Sequence, residues 1–298
     1  VMPDGPVTTE KAWIEMIHRY LATAVGVLIV VMTVTAWTLR ARVAASKPLL
    51  SPWWPTATLV WVCLQGLFGA LTVTMKLYPA IVTAHLLGGL TLLVLLAAQA
   101  EGYRQRDGRS QAGFFDSTAQ PQRWRLALLL LALLSGLQIA LGGWVSTNYA
   151  VLACTDFPTC HGQWWPNMDF AEGFALLRHL GLNAQGSTIE MDALTAIHYT
   201  HRLMAYVVLA ALLAMAWALW RHARSAAPAQ PGQPEAVRRW ALFFAGVALW
   251  QSATGISNVV LGWPLLAAVS HTGGAAVLVA GLATLWMRAR SVESRLQA

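Results

Sequence analysis

Long apolar stretches, separated by short polar segments, make up most of this chain. We count seven stretches of about 20 residues or more, a length that lets a helix cross a lipid bilayer. They lie near residues 16–39, 56–75, 80–100, 124–146, 194–220, 239–260 and 264–287. No stretch alternates apolar and polar residues with the period of two that is typical of barrel strands. The pattern therefore predicts an all-α protein, a polytopic membrane helical bundle with seven transmembrane helices.

The placement of the charged residues predicts how the bundle is oriented. Of the 298 residues, 57% are hydrophobic and 11% are charged, with a net charge of +7. Fifteen of the 20 Lys and Arg residues lie in segments on one side of the predicted helices. That side is cytoplasmic by the positive-inside rule, so residue 1 is expected in the periplasm and the C-terminus in the cytoplasm. The excess of basic residues is then explained by membrane topology and by contact with anionic lipid. It does not indicate a nucleic-acid partner.

The first three apolar stretches match the last three, which indicates an internal repeat. Offsets of 186 and 183 residues align Gln65 with Gln251, His85 with His271, His18-Arg19 with His201-Arg202, and Glu15 with His198. Both copies run through the membrane in the same direction, so the repeat is a parallel duplication. It predicts two pseudo-symmetric four-helix halves, with residues 1–123 in the first and residues 124–298 in the second.

The fourth stretch, near 124–146, has no counterpart within the sequence. At an offset of about 183 its counterpart would precede residue 1. We therefore expect a protein of eight helices whose first helix and first exterior loop lie before this sequence. A seven-helix protein with an asymmetric repeat is the alternative.

Four histidines are the candidate ligands, and each lies within about two turns of the exterior end of its helix. They are His18 and His85 in the first half and His201 and His271 in the second. Two imidazoles from facing helices of a bundle can hold a haem iron between them. A zinc site would need three or four converging ligands. Packing or proton relay is the alternative for each histidine taken alone, but two matched pairs favour two haem sites.

Charged side chains adjoin both predicted sites. Arg19 and Arg202 each follow a candidate ligand, and a guanidinium suits the carboxylates of haem propionates; extension to the membrane surface is the alternative. Glu15 shares a helix face with His18, where a carboxylate can act as a general base beside a substrate. The second half has His198 at the aligned position. We therefore expect the halves to differ in role, unless Glu15 is only a solvated side chain.

Cys154 and Cys160 lie in the longest exterior segment, residues 147–193. The exterior is oxidising, which favours a disulfide. A spacer of five residues that contains proline can close such a loop. A Cys154–Cys160 bridge is therefore expected, with two free thiols as the alternative.

Taken together, these residues resemble bacterial haem A synthase over essentially the whole chain, except for the family's first helix. The motifs that carry the resemblance are Glu15-x-x-His18-Arg19, Cys154-x5-Cys160 with Asp156-Phe157-Pro158 inside it, Trp164-Trp165-Pro166, His201-Arg202 and His271. No single motif is specific, but their combination is.

The resemblance implies an oxidoreductase of the bacterial inner membrane that oxidises the C8 methyl group of haem O to a formyl group through successive hydroxylations. It implies a haem b cofactor held by His201 and His271, and substrate haem O between His18 and His85 with Glu15 serving the chemistry. The product, haem A, supplies cytochrome oxidase. Haem O synthase and oxidase assembly factors are the implied partners, and a homo-oligomer is left open.

Two other functions fit four histidines in two pairs. A di-haem cytochrome b electron-transfer subunit would have equivalent halves, and the difference between Glu15 and His198 speaks against it. A haem transporter would carry exchangeable haem in both halves.

Overall fold

The computed structural model describes residues 8–40, 51–110, 115, 120–225 and 233–289. Within these residues the backbone is helical apart from turns, loops and two isolated β-bridges. The long helices are α1 (Thr9–Arg40), α2 (Trp53–Thr74), α3 (Pro79–Arg106), α4 (Pro121–Thr147), α6 (Met191–Ser225), α7 (Gln233–Val260) and α8 (Leu265–Ala289). Between α4 and α6 lie a 3-10 turn (Ala150–Leu152) and the short helix α5 (Phe170–Gly173). The predicted all-α class is confirmed.

Six of the long helices within the described residues are long and apolar enough to cross a membrane, and α7 is not among them. Helix α7 is 28 residues long and occupies the predicted stretch near 239–260. Its polar residues, among them Gln251 and Asn258, lower its mean hydropathy. The multi-pass membrane character is confirmed, and a seventh span through α7 stays a prediction.

The two tight turns at α2–α3 and α7–α8 have the same backbone geometry. In the first, Lys76 and Leu77 have φ angles of 50° and 59°; in the second, Gly262 and Trp263 have φ angles of 67° and 64°. The amide of Leu77 donates to the carbonyl of Thr72 at 2.8 Å, and Trp263 donates to Asn258 at 2.9 Å. Such bonds cap the last carbonyls of a helix when the chain turns through left-handed residues. A proline then follows within two residues, which suits the start of a helix.

The main apolar core lies among α4, α6, α7 and α8. Its fully buried side chains include Leu128, Leu212, Leu219, Phe244 and Leu285. Helix α3 packs against α8 and α4, α2 packs against α3, and α1 packs against α2. Many apolar side chains of α1 and α2 are exposed, as expected for helices that face lipid.

A buried ion pair joins α3 to α8. Arg288 Nε and Nη2 lie 2.9 and 3.2 Å from the two carboxylate oxygens of Glu101, and Glu101 is 2% exposed. Ser110 and Gln105 also donate to Glu101. The two halves predicted from the sequence are therefore connected by a bidentate ion pair between their last helices, at the ends far from the histidines.

Candidate functional site

All four candidate histidines lie towards one end of the bundle, which we call the loop end because residues 148–190 connect α4 to α6 there. Two ring contacts at this end show that the first residues of α3 and α8 lie close to the segment that connects α4 to α6. Tyr78, before α3, has its ring 5.4 Å from that of His179, and Tyr149 has its ring 6.5 Å from that of Trp263, before α8. The shared depth predicted for the histidines therefore has a structural basis.

The first pair is brought together from α1 and α3. The ring centroids of His18 and His85 lie 6.5 Å apart, with their planes inclined by 69°. Imidazole nitrogens bind metals at about 2 Å, which puts the ring centres of two imidazoles on opposite sides of one metal about 6 Å apart. The spacing thus fits an iron atom held between the two rings. His18 is exposed and His85 is half-buried.

The second pair comes from α6 and α8. His201 and His271 are both half-buried and close enough to interact electrostatically. Thr254 Oγ1 lies 2.9 Å from His271 Nδ1, and the side-chain amide of Gln138 lies beside the ring of His201, with Nε2 3.1 Å from Nδ1. This pair is therefore more enclosed and better hydrogen-bonded than the first.

Three of the four rings lie against a glycine of a neighbouring helix. A Cβ atom added at Gly142 would come within 2.9 Å of His201 Cε1, and one at Gly255 within 3.3 Å of His271 Cε1. A Cβ at Gly69 would come within 3.2 Å of His85 Cε1. The absence of a side chain at Gly142, Gly255 and Gly69 leaves room for each imidazole.

The charged residues beside His18 form an exposed ion pair. Arg19 Nη2 lies 2.5 Å from Glu15 Oε1, and both side chains are more than half exposed. A pair of this kind on a helix contributes about 0.3–0.5 kcal/mol. Either partner is therefore free to turn to a bound ligand at little cost.

The aligned residues of the second half are buried. His198 is 5% exposed and Arg202 is 7% exposed. His198 Nδ1 lies 2.9 Å from the carbonyl oxygen of Ala150, to which it donates, so its Nε2 accepts from Arg202 Nη2 at 3.4 Å. His198 thus connects α6 to the 3-10 turn, whereas the Glu15 side chain is exposed and contacts Arg19 of its own helix.

Arg202 also holds the cysteine loop. Its Nη1 donates to the carbonyl oxygens of Thr159 at 2.7 Å and Asp156 at 3.1 Å. Cys154 and Cys160 form the predicted disulfide, and both are fully buried. The sequence suggested Arg202 as a partner of haem propionates, and that role stays a prediction beside these loop contacts.

Asp156 stabilises the same loop through hydrogen bonds to residues within it. Its carboxylate accepts from the Thr159 hydroxyl at 2.6 Å and from the backbone amides of His161 and Gly162 at 2.8 and 3.0 Å. The Thr159 bond, with the two amides, lowers the pKa of Asp156 to about 2. The loop is further attached to α6 by Tyr199, whose hydroxyl donates to the carbonyl of Trp164.

Sequence reasoning did not single out Arg178, which is 3% exposed. It donates to Asn148 Oδ1 at 2.5 Å and to the carbonyl of Leu182 at 3.2 Å, and it lies over the ring of Trp144. Burial lowers the pKa of its guanidinium below the usual value. The one available signal was a lone arginine within Leu176-Leu177-Arg178-His179-Leu180.

The fold and the site define a class: a multi-pass helical membrane protein with paired histidines at one end of its helices. Residues 3–283 match the family described as cytochrome oxidase assembly protein, and the chain belongs to that family.

Three relatives show how far the similarity extends. A "Heme A synthase" of Shewanella oneidensis is 36% identical over 297 residues, which are 98% of this chain and 82% of that protein. One of Methylobacterium sp. is 33% identical over 76% of this chain and 57% of that protein. One of Caulobacter sp. is 28% identical over 93% of this chain and 73% of that protein. The resemblance seen in the sequence is confirmed.

Proposed function

We propose that this chain is a haem A synthase, an oxidoreductase that converts haem O to haem A for cytochrome oxidase. The reaction oxidises the C8 methyl group of haem O to a formyl group through successive hydroxylations. The family and the relatives that cover nearly all of this chain support the proposal. The observation that carries it is the pair His18 and His85, whose ring centres lie 6.5 Å apart beside the exposed carboxylate of Glu15.

We propose further that the two halves are copies of one unit, with α7 as a seventh span. The two tight turns have equivalent φ angles and hydrogen bonds at an offset of 186 residues. The same offset relates the contact of Gly69 with His85 to that of Gly255 with His271. Independent helices would have no reason to share both features.

The two sites are assigned different roles within this proposal. Haem b belongs with His201 and His271, because these rings are half-buried and hydrogen-bonded, and such a site retains a cofactor. When bound there, haem b supplies one-electron transfer. Haem O belongs with His18 and His85, because Glu15 offers a general base beside this pair, whereas the second half has His198 at the aligned position.

The residues of the first half then have separate roles in binding the substrate and in the reaction. His18 and His85 bind and orient it through its iron, and Arg19 binds a carboxylate of the substrate. Glu15 Oε1, which accepts from Arg19 in this structure, becomes free when Arg19 turns to the substrate. It can then accept a proton beside the reacting group.

The protein is assigned to the bacterial inner membrane, with the loop end in the periplasm and the C-terminus in the cytoplasm, because the Lys and Arg residues lie mainly on the other side. Haem O synthase and oxidase assembly factors remain the partners proposed for it. A di-haem electron carrier is not favoured, because the relatives are synthases and the environments of Glu15 and His198 differ.

Extraction of haem from the purified protein tests the function. The chain is co-expressed with a haem O synthase, and its haems are separated by chromatography and identified by mass. Haem b together with haem O, an oxidised intermediate or haem A is the expected result. Haem b alone would favour the electron carrier, and no haem at all would overturn both sites.

A further inference from the structure

We infer that Thr254 is a positioning residue that holds His271 in the tautomer and orientation needed to bind iron, and that the first half lacks this device. The inference rests on the proposed function, because it assumes that His271 is a ligand of haem b. It assigns a specific cause to the different retention of haem in the two halves.

The hydrogen bonds of Thr254 determine the tautomer of His271. The Thr254 side chain lies on α7 and is 8% exposed. Its hydroxyl has one proton, which it donates to the carbonyl oxygen of Trp250 at 2.8 Å. At His271 Nδ1, 2.9 Å away, the same oxygen therefore accepts. The imidazole then carries its proton on Nδ1, and the lone pair of Nε2 is available to a metal.

Two further contacts fix the ring's position. Gln251 Nε2 donates to the carbonyl oxygen of His271 at 3.1 Å, which attaches that turn of α8 to α7. Gly255, the residue after Thr254, lies against His271 Cε1. Consecutive residues of α7 thus accept the ring's proton and leave space for the ring.

The first half has the same scaffold without the acceptor. At an offset of 186, Gln65 matches Gln251 and Gly69 matches Gly255, and Gly69 lies against His85 Cε1 as Gly255 does against His271. The residue that matches Thr254 is Phe68, which offers no hydrogen-bond acceptor. His85 Nδ1 is buried and has no side-chain acceptor among the described residues; only the backbone of Gln65 lies near its ring, as that of Gln251 does near His271. Neither the tautomer nor the rotation of His85 is fixed in the way that His271 is.

A histidine whose Nδ1 proton is hydrogen-bonded to an acceptor binds a metal more strongly through Nε2. Loss of such an acceptor typically lowers the metal affinity 10–100-fold. The hydroxyl of Thr254 therefore favours a permanently bound haem in the second half. His85 has no such hydroxyl beside its ring, which favours release of the haem bound there and suits a substrate. Threonine against phenylalanine at this aligned position is therefore one side-chain difference that separates the two behaviours.

The test compares Thr254→Val with Thr254→Ser. Valine keeps the shape and removes the hydroxyl, and serine restores it. Each variant is purified with its haem, and transfer of haem b to an excess of apomyoglobin is followed by absorbance. Thr254→Val should retain haem b 10–100-fold less well, and its reduction potential should rise, because the imidazole donates less electron density without an acceptor at Nδ1. Thr254→Ser should behave as the native protein.

A matched control and a reciprocal change complete the test. Thr284 on α8 also donates to a carbonyl of its own helix, at 2.8 Å, and Thr284→Val should change neither retention nor potential. Phe68→Thr places an acceptor beside His85 and should slow the release of haem from the first half.

The outcomes separate this inference from the proposed function. If the native protein holds no haem b, the proposed function fails. If it holds haem b and Thr254→Val retains it equally well at an unchanged potential, the role of Thr254 is wrong and the function stands. Equal losses in Thr254→Val and Thr254→Ser would also overturn the role of the hydroxyl.

Discussion

Replacing Arg202 with alanine should open the Cys154–Cys160 loop. The guanidinium donates to the carbonyl oxygens of Thr159 at 2.7 Å and Asp156 at 3.1 Å, and it has three longer contacts at 3.4–3.5 Å. A hydrogen bond to a charged group contributes about 1.5–3 kcal/mol, so the two short bonds together stabilise the closed loop by about 3–6 kcal/mol.

Reduction of the disulfide measures this opening. Both cysteines are fully buried, so a small phosphine reaches them only after local opening. A loss of about 3 kcal/mol raises the open population roughly 100-fold, because each 1.4 kcal/mol is a factor of ten. The rate of reduction in detergent, followed by alkylation and mass measurement in a Cys63→Ser background, should rise by the same factor in Arg202→Ala.

Arg19→Ala is the matched control for that experiment. Arg19 aligns with Arg202, but it is exposed and pairs with Glu15, so its loss should leave the reduction rate unchanged. An unchanged rate in Arg202→Ala as well would refute the reasoning, because the loop would then be held by other contacts, such as the bond from Tyr199 to Trp164.

Three further predictions concern Glu15, proposed above as the general base, the glycine contacts and the loop. Glu15→Gln should keep haem b and stop product formation, seen in extracted haem; loss of all haem would contradict the division of roles. Gly142→Ala should lower haem b content, because its Cβ meets the ring of His201, whereas Gly136→Ala, with open space, should not. The pKa of Asp156 is about 2, below its ordinary 3.8, so its stabilisation of the loop is complete above about pH 4 and is lost as the pH falls through 2; disulfide reduction should accelerate across that range, but not in Asp156→Asn.

The helices could be predicted from the long apolar stretches of the sequence, and the histidine pairs from their matched positions in the internal repeat. Apolar stretches dictate membrane helices, and a costly histidine inside such a stretch indicates a partner. His18 and His85 do approach each other, although they are 67 residues apart in sequence. Helix α7 forms where it was expected, and only its polar residues keep its hydropathy below that of the other long helices.

The loop contacts could not be predicted, because they join side chains to backbone carbonyls. Nothing in the residue types says that Arg202 faces Thr159 and Asp156, since every residue has a carbonyl. Arg178 and its partner Asn148 are likewise ordinary polar residues until the chain folds. Thr254 was overlooked for a related reason, because a threonine inside a membrane helix commonly bonds only its own helix.

The ion pair between Glu101 and Arg288 has a consequence for the proposed exchange of electrons between the two halves. Helices α3 and α8 pack side by side, and each carries a candidate ligand, His85 or His271, about 25 Å along its axis from the pair. With their far ends joined, the two helices cannot slide past each other without breaking a buried bidentate contact. The gap between the two haem sites proposed above is therefore set by neighbouring helices rather than by a flexible connection. Since tunnelling falls steeply with distance, a fixed gap would keep the rate of electron exchange between the halves constant.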